Sequence, residues 1–134
     1  MAKTVIIIDD DQDDLDTLKA CILTVNPSFD CRTFASSPDA MRILSTEFPL
    51  APDFLFTDIN MPGIRGDDCV RQLRENSKFD HTIIAVLSTT LQPAMTDTLK
   101  RLGANYVYAK PTHFTKYADI LKDVFSSDSR RTVL

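Results

Sequence analysis

Cysteine and histidine are scarce in this chain, and neither falls into a paired motif. The three cysteines, Cys21, Cys31 and Cys69, are odd in number, widely spaced and without a Cys-x-x-Cys pair. The spacing therefore supports neither a disulfide framework nor a zinc centre, and the three read as reduced core or helix residues. His81 and His113 are the only histidines and stand far apart, so they are expected at surface or cap positions rather than as metal ligands or catalytic bases. Long hydrophobic runs are missing too. Met1-Ala2-Lys3-Thr4 leads into only four strongly apolar residues before three aspartates, which is too short for a signal peptide or a membrane span. There is no basic excess: the net charge is −4 and the pI is near 5.0, against a surface that coats nucleic acid. No internal repeat, low-complexity segment or domain-dividing linker occurs. A cytoplasmic protein is expected, with no membrane contact and no direct nucleic-acid contact.

What is present is ordinary in amount and distinctive in order. A chain of 134 residues, 43% hydrophobic and 25% charged, suits one soluble domain that needs no staple. Val5 to Ile8 is β-branched and reads as a central strand. The helix after it carries Leu15, Leu18, Ile22 and Val25 on one stripe, with Asp13 and Asp14 in its first turn complementing the helix dipole, and Asn26-Pro27 stops it. A weaker strand spans Asp30 to Phe34. Ser37-Pro38-Asp39 then opens a helix with Ser37 as N-cap and Met41, Leu44 and Phe48 on its buried face. The run Phe54-Leu55-Phe56-Thr57 delivers Asp58 into a loop marked by Pro62, Gly63 and Gly66, and a helix follows through Cys69, Val70 and Leu73. Ile83 to Leu87 is a fully apolar strand. Pro93 opens a helix with Met95, Leu99 and Leu102, Gly103 caps it, Tyr106 to Ala109 is the last strand, and Phe114, Tyr117, Leu121 and Val124 mark the last helix. Residues 127–134 read as a flexible tail. Five alternations of strand and helix predict an α/β fold, a parallel sheet with helices on both faces.

In such a sheet the carboxyl ends of all strands share one edge, where ligand chemistry belongs. That edge would gather Asp9, Asp10 and Asp11 after the first strand, Asp58 after the third, Ser88, Thr89 and Thr90 after the fourth, and Lys110-Pro111 after the fifth. Singly, each has a plain structural reading: aspartates start helices, and hydroxyls, acids and lysines end strands. Together they form a chemical set. Two carboxylates about 4 Å apart repel by about 4 kcal/mol at an effective dielectric near 20, which calls for a hard cation such as Mg²⁺. With Lys110 and Ser88 opposite, the group suits phosphoryl transfer to or from a carboxylate, with Asp58 as nucleophile.

Ile8-Asp9-Asp10, Asp58-x-x-Met61-Pro62-x-x-x-Gly66, Leu87-Ser88, Gly103-Ala104-Asn105 and Lys110-Pro111 give the chain a further reading. It resembles the receiver domain of two-component response regulators over about residues 3 to 125. The resemblance implies a flavodoxin-like, doubly wound sheet of five parallel strands in the order 2-1-3-4-5, with residues 1–126 as the receiver. It implies Asp58 as phosphoacceptor and Ser88 and Lys110 as contacts to the phosphoryl oxygens. It further implies Mg²⁺ held by Asp10, Asp58 and the backbone carbonyl of Asn60, with Asp9 acting through water, and a cis Lys110-Pro111 bond that aims the lysine. The implied donor is a sensor histidine kinase or phosphotransfer protein, with output by docking to another protein. One departure stands out: where relatives often carry Tyr or Phe three residues before the lysine, this chain has Val107, and strand alternation turns Tyr106 and Tyr108 to the other face. Two other readings remain open at this point. One is a small aspartyl-phosphate phosphatase of the haloacid-dehalogenase type, from Asp9-x-Asp11. The other is a pseudo-receiver that only binds proteins.

Overall fold

The computed structural model describes residues 2–48 and 50–133, with side chains through Ser127. Among them, strands β1 (Thr4–Ile8), β2 (Asp30–Phe34), β3 (Phe54–Thr57), β4 (Ile83–Ser88) and β5 (Tyr106–Ala109) alternate with helices α1 (Gln12–Val25), α2 (Ser37–Thr46), α3 (Gly66–Arg74), α4 (Pro93–Leu102) and α5 (Lys116–Val133). The strands are all parallel and ordered β2-β1-β3-β4-β5, the doubly wound arrangement expected. No helix among the described residues is long and apolar enough to cross a membrane.

The three central strands are apolar because both of their faces are covered. Successive residues point to opposite faces, and each face has its own core. Ile6, Ile8, Leu55, Ile84 and Val86 pack with Ala40 and Leu44 of α2, Cys69, Val70 and Leu73 of α3, and Leu99 of α4. Val5, Ile7, Phe54, Phe56, Ala85 and Leu87 pack with Leu15, Leu18 and Ile22 of α1 and Tyr117, Leu121 and Val124 of α5. The edge strand β5 divides as its alternation requires: Val107 joins the first core, and Tyr106 and Tyr108 join the second.

Register decides what the carboxyl edge displays. Ile8 pairs with Thr57, Thr57 with Val86, and Ser88 with Ala109. Asp9 and Asp58 therefore leave the sheet side by side, one step past paired residues. The pairing is extended by hydrogen bonds from the Asp58 amide to the Ile8 carbonyl at 3.2 Å and from the Lys110 amide to the Ser88 carbonyl at 2.9 Å.

Several local expectations are corrected. The N-cap of α2 is Ser36, whose hydroxyl accepts from the Asp39 amide, and Ser37 is already helical. The Ser37 hydroxyl instead donates to the Ile64 carbonyl at 2.7 Å and accepts from the Ile64 amide at 3.2 Å, pinning the loop that follows Asp58. Phe114 precedes α5 and is 59% exposed, and Val25, placed on the apolar stripe of α1, is 44% exposed. The backbone of α5 stays helical past Ser126 to Val133, since Ser126 and Ser127 bond back to the carbonyls of Asp123 and Val124 instead of breaking the turn. Side chains beyond Ser127, and with them most of the tail expected at 127–134, lie outside the described residues. No cis peptide occurs among the described residues, so Lys110–Pro111 is trans. The hydrogen bond from the Lys110 amide to the Ser88 carbonyl fixes the backbone at the lysine instead.

Gly66 is fixed by crowding rather than by an unusual backbone angle. A Cβ there would lie 1.9 Å from the Asp58 carbonyl oxygen and 2.8 Å from the Ile59 Cα, because the Gly66 amide donates to the Ile59 carbonyl at 2.8 Å. Gly66→Ala is therefore expected to cost about 1–3 kcal/mol in denaturant unfolding and to shift the amide resonances of Asp58 and Ile59. A variant of unchanged stability with unshifted resonances would show that the approach is not tight.

Candidate functional site

The loop after β3 and the turn into α1 meet at the carboxyl edge, and both are held by backbone donors. The Ile59 amide donates to Asp58 Oδ1 at 2.7 Å, and the Asp11 amide to Asp9 Oδ1 at 3.0 Å. Asp11 is itself the N-cap of α1, its Oδ1 accepting from the amides of Asp13 and Asp14. One oxygen of each buried acid is thereby fixed, and the other is left to a side chain.

That side chain is Lys110. Its Nζ donates to Asp9 Oδ2 at 2.7 Å, Asp14 Oδ2 at 2.7 Å and Asp58 Oδ2 at 3.1 Å. The lysine side chain is only 8% exposed, as buried as those of Asp9 and Asp58, whereas that of Asp14 is 35% exposed. Burial alone would make the ammonium easier to deprotonate, but the bonds to Asp14 and Asp9 and the charges of Asp9 and Asp58 outweigh it and hold the group protonated. For Asp9 the balance goes the other way: burial raises its carboxyl above the ordinary value despite the bonds from Lys110 and Asp11.

Of the residues predicted from sequence, Asp9, Asp10, Asp58 and Lys110 converge. Oxygens of Asp9, Asp10 and Asp58 all lie within 4.8 Å of one another, an all-oxygen set that suits a hard divalent cation with remaining positions open to water. Asn60 lies in the loop immediately beyond, its side-chain oxygen accepting from Arg65 at 3.4 Å. Ser88 is buried at the end of β4, but its hydroxyl is turned along its own chain and donates to the Thr90 carbonyl at 3.3 Å. A cleft of about 210 Å³, lined by Ile59, Asn60, Arg65, Thr90, Gln92 and Met95, separates the loop after β3 from the start of α4.

Asp14 is the member of the cluster that sequence reasoning missed, since there it counted only as a dipole-favouring acid. A signal was available. Asp14 precedes buried Leu18 and Cys21 by four and seven residues, so it is an acid on the sheet-facing stripe of α1. The cysteines play no part: burial pushes the thiols of Cys31 and Cys69 up to about 11 and about 12, far from reactive thiolates.

Comparison with known proteins agrees with this fold. The sequence profile of the response regulator receiver domain matches residues 5–122. The sensor histidine kinase TmoS of Ectopseudomonas mendocina is 33% identical over 84 residues, covering 63% of this chain and 8% of that protein. The chain spans less than half the length of the curated relatives it matches. The chemotaxis response regulator CheY4 of Vibrio cholerae superposes with a TM-score of 0.79 at 22% identity, covering 92% of this chain and 99% of that one. The Mn²⁺-bound form of response regulator Rcp1 superposes with a TM-score of 0.79 at 17% identity, covering 88% and 91%.

The electrostatics of the cluster make a direct forecast. Lys110→Met removes the shared cation and strands Asp9 and Asp58, which should cost about 3 kcal/mol in metal-free solution. A carboxyl raised in the folded state holds its proton longer than in the unfolded chain, so stability falls as pH rises above the ordinary Asp value of 3.8. The variant, lacking the lysine that opposes this rise, should lose stability over a wider span of pH. Urea unfolding of both proteins across that range checks it, and a constant difference would contradict the assignment.

Proposed function

Because this chain belongs to the response regulator receiver domain family, the signalling modules of two-component systems, we propose that Asp58 is its phosphoacceptor, charged by a sensor histidine kinase or phosphotransfer protein in the cytoplasm. The observation that carries this reading is one buried carboxylate at the end of β3 with an ammonium 3.1 Å away and two further acid oxygens within 4.8 Å. An Asp58 oxygen attacks the phosphorus of a phosphohistidine, the P–N bond breaks, and its electron pair stays on the imidazole. Lys110 stabilises the transferring oxygens, and Ser88 rotates from the Thr90 carbonyl to donate to them. Asp9, Asp10, Asp58 and the Asn60 carbonyl would hold Mg²⁺, which when bound offsets the charge of acids and phosphoryl group together. Two similar proteins, a sensor histidine kinase and a Mn²⁺-bound response regulator, support the donor and the divalent ion. The domain catalyses only its own phosphorylation and dephosphorylation.

Incubation with acetyl phosphate and Mg²⁺ should add one labile phosphoryl group to Asp58, read by intact mass and peptide mapping. Asp58→Asn, nearly isosteric but not nucleophilic, should stay folded and take up none. Asp10→Ala should lose Mg²⁺ binding in an amide-NMR titration, because too few oxygen ligands remain. Phosphate on the Asp58→Asn protein would refute the assignment. Turnover of a phosphomonoester would point to a phosphatase, and no reaction to an inert platform.

The phosphoryl group adds about −1.5 to −2 charge and three acceptor oxygens beside Ser88 and Lys110. Drawing Ser88 inward shifts the loop into α4, which buries only Leu99 fully and borders the 210 Å³ cleft. The output is then altered docking of a downstream protein. Beryllofluoride, a phosphoryl mimic, should therefore move amide resonances through 89–102, with smaller change at Val107. Perturbation confined to 9–14 and the Asp58 loop would rule this route out.

A further inference from the structure

An ammonium has three hydrogens, and in this site each is taken by a different carboxylate. The two short bonds go to Asp9 and Asp14, and the longest goes to Asp58. Asp9 and Asp58 belong to the acid trio that can hold a cation, whereas Asp14 does not. Asp14 reaches the lysine from the first turn of α1, and with Asp9, Asp58, Lys110 and Tyr117 it lines a hollow of about 10 Å³ under the acids. Its charge sits against the one cation that must face a phosphoryl group.

We propose that Asp14 is a positioning residue for phosphoryl transfer, tethering the Lys110 ammonium to α1 while its negative charge weakens the hold of the site on a phosphoryl group. The inference rests on the reading of Asp58 as phosphoacceptor. When the group arrives, the hydrogen bond that the ammonium directs at Asp58 is redirected to a phosphoryl oxygen, and the nitrogen keeps all three hydrogens. Asp9 and Asp14 keep theirs, so the ammonium is held over the site rather than drawn out along its flexible stem. The tether fixes where the ammonium stands, and the charge sets how strongly it attracts the anion.

The two roles separate by substitution. Asp14→Asn keeps an acceptor oxygen and removes the charge; Asp14→Glu keeps the charge. Asp13 is the control, an exposed acid in the same first turn, with the same relation to the helix dipole. With beryllofluoride in Mg²⁺ buffer as the probe, titrated by NMR, Asp14→Asn should bind roughly five-fold tighter than the unaltered protein, the scale of one partly exposed charge several ångströms away. Asp14→Glu and Asp13→Asn should stay within about two-fold of it on the same grounds. The Lys110 side-chain ammonium resonance should shift in Asp14→Asn and not in Asp13→Asn, a signature that general loss of helix stability would not produce. Equal affinity of Asp14→Asn and the unaltered protein, or an equal gain in Asp13→Asn, overturns the inference while leaving Asp58 as acceptor. Failure of the unaltered protein to take up acetyl phosphate or beryllofluoride overturns both.

Discussion

Among the described residues, the Lys110 ammonium is the cation bonded to the buried acids of the carboxyl edge, and the layout of that edge depends on it. Asp9, Asp14 and Asp58 all bond it, and Asp10 lies beside two of them. Four carboxylates against one lysine leave a formal excess of three negative charges, with Asp9 and Asp58 buried and Asp10 and Asp14 reaching water. Such a cluster is tolerable only when each group has hydrogen-bond partners. The structure supplies them from the backbone, with amides of Ile59 and Asp11 on the free oxygens of Asp58 and Asp9. No buried side-chain nitrogen or oxygen among the described residues lacks a partner. The remaining charge imbalance is what the proposed divalent cation would offset.

Holding that cluster requires rigid support beneath and adaptable structure beside it. Support comes from strand register and from a loop pinned at both ends: Gly66 presses on the Asp58 peptide, and Ser37 of α2 bonds Ile64 on both its amide and its carbonyl. Adaptability belongs to the side of α4. That helix is fully buried only at Leu99, whereas α1 buries Leu15, Leu18, Cys21 and Ile22. Its far end is firmer. Gly103 closes it with φ of 119°, and the Arg74 guanidinium binds the carbonyls of Gly103, Phe79 and Thr82 and the Asn105 side chain. A shift entering from Ser88 thus meets a loose start and a fastened end.

Val107 gives this receiver domain its own character. Tyr106 and Tyr108 stack on the opposite face, 6.0 Å apart and 10° from parallel, so neither replaces the missing ring. Burial and the hydrogen bond to Asp123 push the Tyr108 phenol up to about 12, leaving it neutral and tied to α5. Both tyrosines are committed to the α5 side of the sheet, so the proposed switch would have an aliphatic side chain, Val107, on the opposite face of β5 and no ring to turn there.

Much of this was legible in the chain before any coordinates. Apolar runs closed by oxygen-bearing residues identified β1, β3 and β4, an apolar run before Lys110-Pro111 identified β5, and β2 was read as a weaker strand. The rule that parallel strands end on one edge was enough to bring Asp9, Asp10, Asp58 and Lys110 together, with Ser88 at the same edge but its hydroxyl turned to Thr90. Periodicity and strand order are local or topological properties, so sequence carries them. What it could not carry was direction and contact at the scale of one side chain. Ser36 rather than Ser37 caps α2 because the Ser37 hydroxyl is claimed by a loop 27 residues away. Phe114 lies outside the last helix because that helix begins only at Lys116. Gly66 is crowded by a peptide eight residues earlier, not constrained by its own backbone angle. Asp14 read as one more acid at a helix start until the fifth strand delivered Lys110 to it across 96 residues. Local pattern determined the elements and the edge; only packing between distant segments decided which charge faces which, since a hydrogen bond 2.7 Å long depends on where both partners finally stand.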